Sequence, residues 1–103
     1  MYARMVTGQF KPEKLNFVTQ TLEREIIPLL KKQHGFRDEV SFFDEELKEM
    51  NAISFWDNKQ DLEKYEREVY PKVHLKVADA FVAQPKTHDF EVSNSTWYKI
   101  HAA

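Results

Sequence analysis

The sequence predicts an α+β domain with the element order β-α-β-β-α-β. Three observations carry that prediction. The chain opens on an alternating strand, two stretches of helical spacing each start at a recognisable boundary, and a Phe-rich hairpin lies between them. Split β-α-β units of this kind form a four-stranded antiparallel sheet, expected order 4-1-3-2, with the helices on one face.

Each element has its own residue pattern. Tyr2 to Phe10 puts Tyr2, Arg4, Val6, Gly8 and Phe10 on one face and Ala3, Met5, Thr7 and Gln9 on the other. Apolar residues on both faces suit a central strand. Lys11-Pro12-Glu13 reads as a helix start, because Pro is tolerated at the first helical position and Glu favours the first turn. Leu15, Val18, Leu22, Ile26 and Leu29 then form one apolar stripe. Pro28 falls inside the stripe and its ring opposes the carbonyl of Arg24, which predicts a kink near Arg24–Glu25. His34-Gly35 closes the helix with Gly at the left-handed cap.

Phe36 to Asp44 and Glu49 to Trp56 read as a hairpin joined by the polar Glu45-Glu46-Leu47-Lys48. Asp57-Asn58, with Gln60 and Asp61 after them, is a helix cap. Leu62, Tyr65 and Val69 give the following helix an apolar face. Pro71 interrupts it, and Val73 to Val82 reads as another helical segment using Val73, Val77, Ala80 and Phe81. Gln84-Pro85-Lys86 is a linker. The last strand is expected from His88 to Ser93 and again from Trp97 to Ile100, bent at Asn94-Ser95. The resulting ferredoxin-like sheet has one face away from its helices, carrying members of the Phe36, Val40, Phe42 or Phe43 sets and Met50 or Ile53. An uncovered apolar face of that size predicts a homodimer with two sheets packed face to face.

Length and composition bound the function. The 103 residues allow a single domain spanning 1-103. Hydrophobic residues at 42% and charged residues at 31% describe a globular chain. No apolar run approaches a membrane span and no basic, then apolar, leader opens the chain, so a cytoplasmic protein without membrane contact is expected. The absence of Cys excludes disulfides and thiolate chemistry. A net charge of -2 offers no basic field, so no nucleic-acid partner is expected. The aromatic content, 14% with eight Phe, four Tyr and two Trp, exceeds what so short a chain is expected to bury. Those rings predict an oligomer interface, a ligand pocket, or both.

Four stretches resemble the antibiotic-biosynthesis-monooxygenase (ABM) family. They are the opening Met1-Tyr2-Ala3-Arg4-Met5-Val6-Thr7-Gly8-Gln9-Phe10-Lys11-Pro12, Ile27-Pro28 within the first helix, His34-Gly35-Phe36, and Ile53-Ser54-Phe55-Trp56 before a capped helix. The similarity runs from Tyr2 to about Val92. It implies the dimeric α/β barrel superfamily, with a pocket in each protomer between sheet and helices and the opposite sheet faces forming the barrel. It further implies a monooxygenase working without a cofactor on a small hydrophobic molecule, aromatic or enolisable. Haem-degrading relatives are the alternative. They carry a first-strand Asn, a helical Trp and a His ligand; here those positions fall at about Met5, near Tyr65 and at His74. Only the His survives, which disfavours haem. A non-catalytic dimer that binds a small ligand is the remaining alternative.

The residues that could carry chemistry are few. His74 and Tyr65 are the catalytic candidates, because imidazole serves as a base near neutrality and a phenol orients a hydroxyl or quinone oxygen. Trp56, Arg4, Tyr70 and Asn51 are the substrate-binding candidates, with Ser54 beside them. Trp56 offers either a stacking wall or a core staple. Arg4, on a central strand, needs an anionic ligand or a carboxylate such as Asp89 or Glu91. His34 suits a helix C-terminus. His88 and His101 have no second ligand near them in sequence, and no His-x-x-x-His spacing occurs, so no metal site is expected.

Overall fold

The computed structural model describes residues 1–102. Its antiparallel sheet has the order β2-β3-β1-β4, the expected 4-1-3-2 read from the other edge. The strands are β1 (Tyr2–Gln9), β2 (Phe36–Asp44), β3 (Glu49–Trp56) and β4 (Lys86–Glu91). Helical turns cover one face. The first segment comprises a 3-10 turn at Pro12–Lys14, α1 (Leu15–Thr21), a π turn at Leu22–Ile26 and α2 (Ile27–Lys31). The second comprises α3 (Lys59–Glu68), α4 (Tyr70–Val77) and a 3-10 turn at Ala78–Ala80. No helix among the described residues is long and apolar enough to cross a membrane.

The expected kink is the π turn. The N–H of Ile27 bonds the carbonyl of Leu22, five residues back, so the helix widens by one residue immediately before Pro28. Widening accommodates a ring that has no N–H and would clash four residues upstream. Gly35 caps the segment with φ of 82°. A Cβ there would sit 2.2 Å from the Asp61 carboxylate, so only glycine fits. Asn58 caps α3 by accepting from the Asp61 N–H at 2.9 Å.

Register decides which residues meet the helices. Tyr2, Arg4, Val6 and Gly8 pair with Trp56, Ser54, Ala52 and Met50, and all face the helical layer. A bulge at Arg37 shifts β2 by one residue. It leaves Phe36 beside Trp56 on the helix side, then turns Glu39, Ser41 and Phe43 inward and Val40 and Phe42 outward. The expectation for the outer face is thereby resolved: Val40, Phe42 and Ile53 belong to it, whereas Phe36, Phe43 and Met50 do not. Two buried clusters fill the helix side. One joins Ile26, Leu30, Trp56, Leu62, Tyr65 and Val73, and the other joins Phe10, Val18, Met50, Ala80 and Phe81.

Three boundaries differ from expectation. Pro71 starts α4 as well as ending α3, so the helix runs from Tyr70 to Val77 and not from Val73 to Val82. Phe81 has left the helix and bridges Phe10. The last strand begins at Lys86, and Trp97 to Ile100 is not a strand. The Val92 N–H bonds the carbonyl of Met1, just past the last β1–β4 pair, Tyr2 with Glu91. The chain then folds into a turn closed by a Ser95–Ile100 bridge and lays Trp97 and Tyr98 against Phe55 on the outer sheet face. Phe42 and Phe90 on that face stay exposed.

Candidate functional site

A cavity of about 90 Å³ lies between the sheet and the helices, bounded by both buried clusters. Val6, Val18, Leu22, Leu30, Val73 and Val77 make most of its wall apolar. One end is closed by Phe81, which packs over Gly8; a Cβ on Gly8 would meet the Phe81 ring at 2.9 Å. The polar groups are Arg4, Glu39, Ser54, Tyr65, Tyr70 and His74.

Three of them occupy one rank across the sheet. Asp89, Arg4, Ser54 and Glu39 are successive cross-strand partners on β4, β1, β3 and β2. Arg4 is 4% exposed. Its Nη1 donates to Glu66 Oε2 at 3.0 Å and to Asp89 Oδ1 at 3.4 Å. The Tyr70 ring lies 4.2 Å from the guanidinium carbon. The buried Nε–H of Arg4 has no partner. Two carboxylates on one guanidinium nitrogen are crowded. Burial pushes the Glu66 carboxyl up to about 7, hydrogen bonding to and repulsion from Asp89 add to this, and Arg4 opposes it. Glu39 is also held above the ordinary carboxylate range, chiefly by burial, although Ser41 Oγ donates to its Oε2 at 2.6 Å.

The aromatic candidates form a ladder from the sheet edge to His74. Phe36 meets Trp56 edge-on with centroids 5.5 Å apart, and Trp56 lies 4.8 Å from Tyr65. Tyr65 is followed by Tyr70 at 6.3 Å and Tyr70 by His74 at 6.2 Å. Tyr65 is 5% exposed, and burial raises its phenol far above the ordinary value despite the nearby Arg4. It is therefore a hydrogen-bond donor at neutral pH and not a phenolate. His74 is half-buried on α4.

The structure brings Arg4, Tyr65, Tyr70 and His74 to the cavity and leaves two candidates away from its wall. Trp56 is fully buried behind Tyr65, and its indole N–H donates to Ser54 Oγ at 2.9 Å. It supports the site and does not line it. Asn51 has the opposite strand parity and faces outward, where its Oδ1 accepts from Thr7 Oγ1 at 2.7 Å. Met5 shares that outward face, whereas its neighbours Arg4 and Val6 line the cavity. Glu39 and Glu66 escape sequence reasoning. The bulge at Arg37 hides the inward parity of Glu39, and Glu66 is an ordinary surface residue type one position beyond the apolar stripe. Among the described residues no three His, Asp or Glu side chains cluster as metal ligands do.

No family model and no curated protein matches the sequence. Solved structures do match in shape. A Deinococcus radiodurans protein named as a candidate antibiotic biosynthesis monooxygenase superposes with a TM-score of 0.75 at 14% identity, covering 92% of this chain and 95% of that one. A monooxygenase of Streptomyces coelicolor, in complex with the ligand nanaomycin D, gives 0.73 at 11% identity over 91% and 88%. A candidate antibiotic biosynthesis monooxygenase from Nitrosomonas europaea gives 0.73 at 15% identity over 89% and 98%. At these identities the similarity speaks to fold. This chain has the ferredoxin-like α+β fold of structures named as antibiotic biosynthesis monooxygenases.

Proposed function

We propose that this protein is a homodimeric oxygenase that binds a small hydrophobic molecule, aromatic or enolisable, in the cavity between sheet and helices. One observation carries the reading: an apolar cavity in a folded core, with its polar groups gathered on Arg4, Glu39, Ser54, Tyr65, Tyr70 and His74. Pockets for small molecules have this composition, apolar walls with a few placed polar groups. The outer sheet face, with exposed Phe42 and Phe90, supports pairing of two copies.

Dioxygen is the oxidant, and the substrate supplies the electrons. A substrate CH2 group beside a carbonyl loses a proton to become an enolate. The enolate carbon bonds to one oxygen of O2, giving a hydroperoxide after protonation. Loss of water then leaves a new carbonyl at that carbon, so one oxygen atom is retained and one departs as water. The protein has to stabilise the anion and exclude bulk water. Tyr65, held neutral, donates to the substrate oxygen. Tyr70 stacks on Arg4 and closes the aromatic wall, and His74 carries protons between cavity and solvent. The test is oxygen uptake with small cyclic ketones and with phenols, whose keto tautomers carry such a CH2 group. His74→Ala and Tyr65→Phe are each expected to lower kcat about 100-fold or more in folded protein. Unchanged turnover in both variants refutes the roles given to these residues, and absence of any turnover by the unmodified protein refutes the oxygenase.

A further inference from the structure

We propose that Glu39 and Arg4 act as a pair on the ligand: Glu39 removes a proton from carbon beside a carbonyl, and Arg4 receives the charge that develops on the carbonyl oxygen. This rests on the cavity being the ligand site. Glu39 is the one carboxylate lining the cavity among the described residues. Asp89 and Glu66 are tied to Arg4 Nη1 and line a second, shallow depression with Thr87 and His88, which meets the cavity at Arg4. Glu39 and Arg4 face the same way in one rank, with Ser54 between them. Two inter-strand steps separate their Cα atoms by roughly 10 Å. A single fused-ring ketone spans that gap once side chains reach in from both sides.

The two groups are chemically matched to the task. Glu39 Oε2 is held by Ser41, and the carboxyl sits in surroundings that raise its basicity. The Arg4 Nε–H is buried and without a partner, an arrangement that costs stability unless an acceptor arrives. A ligand carbonyl is such an acceptor. As the Glu39 carboxylate takes the proton, the C–H electron pair becomes the enolate C=C bond and the carbonyl π pair moves to oxygen. Arg4, already stacked against Tyr70, then donates to an oxyanion. Once the carboxyl has traded that proton with solvent, its return to the same carbon completes exchange, and delivery to the oxygen gives the enol, with no oxidant consumed. The class of ligand is accordingly a small cyclic ketone or its enol, with the acidic carbon one bond from the carbonyl.

Exchange of hydrogen for deuterium at the CH2 groups of 2-indanone, followed by proton NMR in D2O, tests the pair. Indane, which has the ring and no carbonyl, reports binding to the cavity alone. The unmodified protein is expected to accelerate exchange above buffer. Glu39→Gln is expected to lower its kcat about 100-fold or more, with KM and indane affinity within about threefold. Arg4→Lys retains the charge that Glu66 and Asp89 need and removes the Nε–H, so exchange falls while the fold, followed by circular dichroism, persists. Indane binding without accelerated exchange, or full exchange in Glu39→Gln, overturns the pair and leaves the cavity reading standing. Failure of indane to bind removes the cavity reading, and this inference with it.

Discussion

Replacing Glu66 by Gln separates two accounts of the buried Arg4 cluster. A simple ion pair predicts that losing the Glu66 charge destabilises the protein at neutral pH. The structure predicts the reverse. Burial and the adjacent Asp89 raise the Glu66 carboxyl from 4.5 to about 7. The folded state therefore binds the proton more tightly than the unfolded state. That contribution is complete below the unfolded value of 4.5 and is lost as pH rises through 7. At about 1.4 kcal/mol per pH unit a fully sheltered group would account for about 3 kcal/mol. The Glu66 side chain retains 28% exposure, so solvent screening reduces this to about 1–2 kcal/mol. Urea unfolding of both proteins, monitored by tryptophan fluorescence at pH 4.5, 5.5, 6.5 and 8 and at one protein concentration, measures the difference. Glu66→Gln should match the unmodified protein at the lowest pH and exceed its stability by about 1–2 kcal/mol at the highest. A Gln variant less stable at pH 8, or a difference that does not change with pH, refutes the reasoning.

Two further outcomes follow from packing. Gly8→Ala drives a methyl group to 2.9 Å from the Phe81 ring and should destabilise the fold by about 1–3 kcal/mol, read as a lowered Tm; an unchanged Tm contradicts the packing at this end of the cavity. Light scattering should give about twice the 12.3 kDa of one chain, and Phe42→Asp should return the mass to that of one chain without loss of helix signal. A single 12.3 kDa species in the unmodified protein contradicts the dimer.

Most of the fold was legible because its signals are local. Alternation placed β1, Phe36–Asp44 and Glu49–Trp56 matched both hairpin strands to the residue, and Gly35 and Asn58 occupied the caps their chemistry suggests. Pro28 announced a kink and became a π turn over Leu22–Ile26. Non-local features were not legible. Whether Trp97 to Ile100 extends the edge strand depends on pairing with β1, and the β1–β4 ladder goes no further than Tyr2 with Glu91. The site divides similarly. Arg4, Tyr65, Tyr70 and His74 reach the cavity because helical and strand periodicity point them inward. Asn51 fails by one step of parity, and Trp56 is screened by the Tyr65 ring it supports. Glu39 was hidden by a single bulge, since one extra residue at Arg37 reverses the facing of everything after it.

The central claim is that the cavity between sheet and helices receives a small apolar molecule. Methyl NMR of the protein titrated with indane tests it directly. The account predicts saturable shifts at Val6, Val18, Leu22, Leu30, Val73 and Val77, which line the cavity. Shifts confined to the outward-facing Val40, which does not line the cavity, or no shifts at all, would contradict it.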